Sequence, residues 1–346
     1  LTVDCSDLSD LMFYLVDGSS FSVSGFTFEK FQGEQDNSDL GFVSNFKTQY
    51  DYYMMTGEEY VSVDVADCRF DAMYADNGMF LIVGDLTIRE SQFENSYEAE
   101  GLLNGGMNQY LWVEGGALTL DKVSMSEFVG ENVGLSIVSG EGDVTITSST
   151  FTGNDVLYLA AFGNTGTTVF DSVLVAENHD ATIFLRGSET TFNNVTVANN
   201  GVEFKPGDMW HTYVDITFDS KTVITNTILW EPNACLSVTS YGSNPEVHNT
   251  VVYTGGTYVS VPEPSVGEYW RSTNPVAPYD ANYAPLSSWT TTGDANGHKV
   301  AGEGDIQYVT TEVDAYGSAR TFNGQVDLGA VARTPETPSI VVTTLD

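Results

Sequence analysis

The stretch VTITSSTFTGN, Val144 to Asn154, is rewritten three times further along the chain, as TVFDSVLVAEN (168–178), TTFNNVTVANN (190–200) and TVITNTILWEPN (222–233). Each version holds an apolar residue, a polar pair or triplet, a second apolar residue and then an Asn. Aligned on the first apolar residue, the series runs Val23, Val65, Ile88, Leu120, Ile146, Phe170, Phe192, Ile224, Val247. Five places later stand Phe28, Phe70, Phe93, Met125, Phe151, Val175, Val197, Leu229 and Val252. Successive spacings are 42, 23, 32, 26, 24, 22, 32 and 23, so the unit is 22 to 26 residues and the longer gaps are insertions. A blade of a β-propeller would need about twice that length.

Each unit reads as three short strands. In 181–200, ATIFLRG closes on Gly187, ETTFNN follows, and VTVANN ends on Asn199 and Asn200. Apolar and β-branched residues alternate with polar ones between Gly, Asn, Ser and Asp, which is strand-and-turn syntax. No helical i, i+3, i+4, i+7 pattern is sustained. Three such strands make one coil of a solenoid, which buries its apolar face only by stacking on its neighbours. The expected fold is all-β, a parallel β-helix. Ile146, Phe170, Phe192 and Ile224 should form one internal column, and Phe151, Val175, Val197 and Leu229 another.

The spacing places insertions near 32–60, 96–109 and 208–219. They carry Tyr50, Tyr52, Tyr53, Trp210 and Tyr213, aromatic rings of the kind that pack on a rod or meet sugars. After residue 255 the repeat breaks. Residues 256–333 hold Pro262, Pro264, Pro275, Pro278 and Pro285 and read as an irregular wrap with a closing segment. Residues 334–346, TPETPSIVVTTLD, read as a linker and a strand leading to a next unit.

The chain has 346 residues with 48 acidic against 12 basic side chains, a formal net charge of −36. That surface repels nucleic acid and anionic membranes. No run of 18 apolar residues offers a membrane span. Aromatics at 12% and the many β-branched residues oppose disorder despite the charge. Cys5, Cys68 and Cys235 are odd in number and far apart, which fits small buried thiols better than a disulfide framework or a zinc site.

The repeat resembles the right-handed parallel β-helix of the pectin-lyase-like fold over residues 1–255. The segment DAYGSARTFNGQVDLGAVA (314–332) resembles the closing segment of large secreted bacterial β-helix proteins, in Asp314, Gly317, Arg320, Gly324, Val326, Asp327, Gly329 and Ala330. The final VTTLD is similar to the strand that opens a further unit in such proteins. The resemblance implies a module of an extracellular, cell-surface or fibre-forming protein built from tandem β-helix units, with neighbouring units as partners.

Because related folds include polysaccharide lyases and glycoside hydrolases, chemistry must be weighed. The sequence has no Asp-Asp, no GHG and no RxK. Arg186 with His179 is the one basic pair to name, and no catalytic residue is assigned. Acidic stretches 33–39 (GEQDNSD) and 139–143 (SGEGD) could offer oxygens to calcium, the one cofactor considered, without any strict calcium motif. The single sequon, Asn194-Val195-Thr196, falls inside a repeat and reads as an unmodified turn. The expected function is therefore a non-catalytic structural or adhesive module, self-associating and open to glycans and divalent cations. The alternative is a carbohydrate-active enzyme or glycan-binding module.

Overall fold

The computed structural model describes residues 1–6, 13–16, 18–30, 43–44, 60–73, 79–96, 110–129, 135–162, 166–201, 213–241, 243–255, 258–292, 297–322 and 324–333. Among them, 27 strands join one continuous sheet whose every pairing is parallel. The chain is a parallel β-helix solenoid closed by a C-terminal irregular wrap. Each coil contributes to three faces, here sheets A, B and C. In coil 8 these are Asp180–Arg186, Glu189–Asn193 and Thr196–Ala198. Sheet C has eleven rungs, from Thr2–Asp4 in coil 1 to the end of Val266–Ser272 in coil 11. At ~4.8 Å per rung the rod is about 48 Å long.

The two columns read from the repeat are the rungs of sheets B and C. Ile146 pairs with Phe170, Phe170 with Phe192 and Phe192 with Ile224. Phe151 pairs with Val175, Val175 with Val197 and Val197 with Leu229. All are buried. Aromatic members stack within their column, as Phe70 does on Phe93 at 4.6 Å and 4°. Sheet A adds a third inward column, Leu111, Ile137, Leu159, Ile183, Ile216 and Val238.

The corners explain the polar punctuation. Between sheets B and C the chain turns through one left-handed residue per coil, including Ser148 (φ 48), Ser172 (φ 58), Asn194 (φ 49) and Asn226 (φ 49). Between sheets A and B the backbones stack so closely that a Cβ on Gly142 would lie 1.8 Å from the Gly116 carbonyl oxygen. Glycine is obligatory there.

Two expected boundaries differ. The ladder continues past residue 255 through Val259–Ser260 and Val266–Ser272, because their alternate side chains still face the core. The insertion expected at 208–219 ends earlier, since Tyr213–Phe218 is a sheet A strand paired on both sides. The stretches 31–42, 97–109 and 202–212, outside the described residues, fall where the chain passes from sheet C to sheet A, whereas 45–59, the rest of the first expected insertion, falls between sheets A and B.

From residue 273 the wrap turns back along the rod. Asp305 meets Asn226 of coil 9, Tyr308 meets Asn193 of coil 8, Thr311 meets Ser172 of coil 7, and Val313 meets Ser148 of coil 6. It follows the B–C corner, one contact per coil, in the opposite direction to the coils. Trp230, Tyr253, Trp270, Tyr279, Tyr283, Trp289 and Leu328 pack beneath it as a second core outside sheet C.

Candidate functional site

Three polar constellations stand out. The first is inside the rod, where the chain leaves sheet C. The Asn154 side chain donates to Asn178 Oδ1 at 2.8 Å, and Asn178 donates to Asn200 Oδ1 at 2.8 Å. Asn200 then donates through its side chain to Glu231 Oε1 (2.7 Å) and through its backbone N–H to Oε2 (2.8 Å). Each Asn also gives a hydrogen to a carbonyl of the preceding coil. The ladder thus ends on a carboxyl group. Burial pushes Glu231 up to about 8, against the two Asn200 hydrogen bonds that favour its ionised form.

The second constellation holds the wrap down, and it gives Asp314, Arg320, Asp327 and Gly329 of the closing segment a task. Asp314 accepts from the backbone of Tyr316, Ser318 and Ala332 and so shapes a turn. Arg320 is fully buried and donates to Asn194 Oδ1 and the Asp327 carbonyl, both at 2.7 Å. Burial brings its guanidinium down to about 10, opposed by the charges of Asp171, Asp327 and Asp314. Asp327 receives Gly302 N–H and pairs with Arg333. Gly329 sits at φ 85, where a Cβ would come within 2.4 Å of Thr196 Oγ1. A fully buried cation, held by two neutral acceptors in the field of three carboxylates, is costly to remove from one side.

The third lies on the outer face of sheet A. Leu81, Trp112, Ala160 and Phe184 lie on one register line as an apolar stripe. At its edge Glu114 is half-buried, with Oε2 enclosed and without a hydrogen bond. Burial raises the Glu114 carboxyl, the Trp112 indole partly offsets this, and the charge of Glu141 raises it further. A carboxyl that holds its proton more tightly than usual beside a second carboxylate is the kind of group that can pass a proton to a leaving group. Sequence reasoning passed over Glu114, because 48 acids hide any one pair, and took Glu141 only as part of the 139–143 stretch considered for calcium.

The basic pair named from the sequence does not form. Arg186 is held by Asp219 at 2.6 Å and His179 lies 3.7 Å from Asp180. Arg186 ends the Asp180–Arg186 strand and His179 precedes its start, about 23 Å away at ~3.3 Å per residue. Arg186 is also three rungs from Glu114, by way of Gly140 and Phe162. Of the acidic loops considered for calcium, 33–39 lies outside the described residues. In 139–143, Asp143 accepts from Thr167 N–H (2.6 Å) and Oγ1 (3.0 Å), bonds that hold its carboxyl below the usual range. Among the described residues no group of three or more His, Cys, Asp or Glu is gathered as for a metal. Tyr50, Tyr52, Tyr53 and Trp210 lie outside the described residues too.

Cys5, Cys68 and Cys235 are free and buried, and burial raises all three thiols. The sequon asparagine is committed to the interior. Asn194 donates to Asp171 and accepts from Arg320, so a glycan there is incompatible with the docked wrap. Among the described residues no helix is long and apolar enough to cross a membrane. Comparison with protein families, with curated proteins and with solved structures finds no match.

Proposed function

We propose that this chain is a non-catalytic structural or adhesive module of an extracellular cell-surface or fibre-forming protein, a rod of the pectin-lyase-like kind that works beside further units. The observation that carries the reading is where the perturbed charges are spent. Glu231 and Arg320, fully buried, are engaged with Asn200, Asn194 and the Asp327 carbonyl, inside the rod or beneath the wrap. Catalytic groups of this kind stand in open clefts where substrate reaches them. Here they stiffen the rod. The surface acidity supports a solvated, extracellular setting with cations and neutral glycans as compatible neighbours.

A second reading, a carbohydrate-active enzyme, rests on Glu114 with Glu141 beside Trp112. The two are separated by incubating the protein with pectin, alginate and neutral glycans and assaying unsaturated and reducing ends. The structural reading expects no product. Product formation lost in Glu114→Gln, with the fold intact by circular dichroism, replaces it with the enzymatic one.

A further inference from the structure

The track that the wrap follows does not stop where the wrap does. At Val313 the chain leaves the B–C corner for the Asp314 turn, yet the corner continues through coils 5, 4, 3 and 2 with the same left-handed residue: Lys122, Glu90, Asp67 and Gly25. Over those coils it is an open groove. One part, about 470 Å³, is lined by Gln92, Ser124, Thr150, Lys122 and, from the wrap, Tyr316. A further 310 Å³ is lined by Thr27, Asp67, Arg69 and again Glu90 and Gln92, so the two are continuous.

We infer that this groove receives an extended, lysine- or arginine-bearing polypeptide segment of a partner protein. The intramolecular half of the track shows what the positions recognise. Ser148, at the corner, donates to the Val313 carbonyl at 3.1 Å. Thr196, on the outer rank of sheet C, accepts the Ala330 N–H at 2.9 Å. Thr150, Ser124 and Gln92 occupy the same outer rank two to four coils earlier. Among the described residues, nothing binds their side-chain hydrogen-bonding groups. The groove is therefore equipped for the main chain of an extended strand. From coil 2 to coil 6 it spans about 19 Å, some six residues of extended chain.

Charge selects the partner. The walls carry Asp67, Glu90 and, on the adjoining rank, Glu29, Asp71 and Glu94, against Arg69 and Lys122, which are already paired with Glu94, Asp71 and Glu90. A second copy of the chain, at −36, is repelled. A basic strand gains from the same field.

The test uses an eight-residue peptide of alternating Lys and Thr, titrated calorimetrically into the whole protein at physiological salt. Saturable one-to-one binding is expected. Ser124→Trp, which fills the groove, should weaken it by about tenfold or more, and Thr191→Trp, on the outer face of sheet B, should not. Gln92→Arg, at a more exposed position, is measured in parallel so that a folding failure of the first variant leaves a result. Equal loss in all three variants, or none, would mean diffuse attraction to an acidic surface and overturns the site. So would a groove that binds a neutral oligosaccharide in a Ser124-dependent way while ignoring the peptide.

Discussion

Coils 3 and 4 and coils 9 and 10 have the same backbone on sheet C and opposite outsides. The early strands read Arg69-Phe-Asp71 and Gln92-Phe-Glu94, one apolar residue flanked by polar ones. The later ones read Ile228-Leu-Trp230 and, closing Glu246–Tyr253, Val251-Val-Tyr253. A strand buried on one face alternates, and a strand buried on both is apolar throughout. The middle residue points into the rod in both halves. The flanking pair decides whether the outside is water, as in coils 3 and 4, or the wrap. One solenoid thus has a bare half and a sheathed half, written in two residues per coil.

That contrast can be broken most directly at its anchor. Arg320→Ala leaves Asp171, Asp314 and Asp327 without their buried cation, and should cost about 3–5 kcal/mol. Limited proteolysis should then cut within 273–333 while the rod keeps its β signal. Trp230→Ala removes a side chain lying between rod and wrap against Tyr253 and Trp289, at about 3–5 kcal/mol. Its counterpart on the bare half, Glu94→Ala, loses only an exposed pairing with Arg69 and should stay within about 1 kcal/mol in urea denaturation. Comparable costs at Trp230 and Glu94 would erase the distinction.

A smaller effect should separate the interior of the sheathed half by pH. The Glu231 carboxyl titrates near 8 in the fold and near its ordinary 4.5 when unfolded. Its neutral form is the one the fold favours, so its contribution is full below about pH 4.5 and is lost as pH rises towards 8. Glu231→Gln cannot ionise but keeps only one of the two acceptors that Asn200 uses. The variant should melt below the parent near pH 4, and that deficit should shrink or reverse above pH 8. The smallest effect belongs to the bare half, where acids face water. Calcium or added salt should raise the melting temperature by a few degrees by screening the net charge, with added amide protection greatest in coils 2–5. Identical traces in EDTA and in millimolar calcium would remove the divalent cation.

The inward register was legible because it repeats. Nine apolar pairs five residues apart are rungs in the structure at every position from Val23 to Val247 and from Phe28 to Val252. The outward pattern was equally present, in the unbroken runs VLVA, TILW and TVVY, but its reading needs the wrap to be known. The closing Asn of each repeat was visible in the sequence, but not the ladder that Asn154, Asn178 and Asn200 form, nor that coil 9 departs from it. There Glu231, not Asn233, takes the ladder position. Glu114 had no local signal, since what marks it is half-burial beside an indole from the same strand. The closing segment could be matched but not interpreted, because Arg320 meets Asn194 across 126 residues.

The direction of the wrap has a mechanical consequence. Strands that run across the rod separate from their neighbours one rung at a time under axial tension, as a zipper opens. The segment from Asp305 to Val313 runs along the axis and ties coils 9, 8, 7 and 6 by a bond to each. Tension between those coils loads these ties in shear, so they must yield together. Among the described residues the wrap makes no such hydrogen bond to coils 2 to 5. Pulled from its ends, the rod should lengthen first at the amino-terminal coils, with the strapped coils giving way last and in a single larger step.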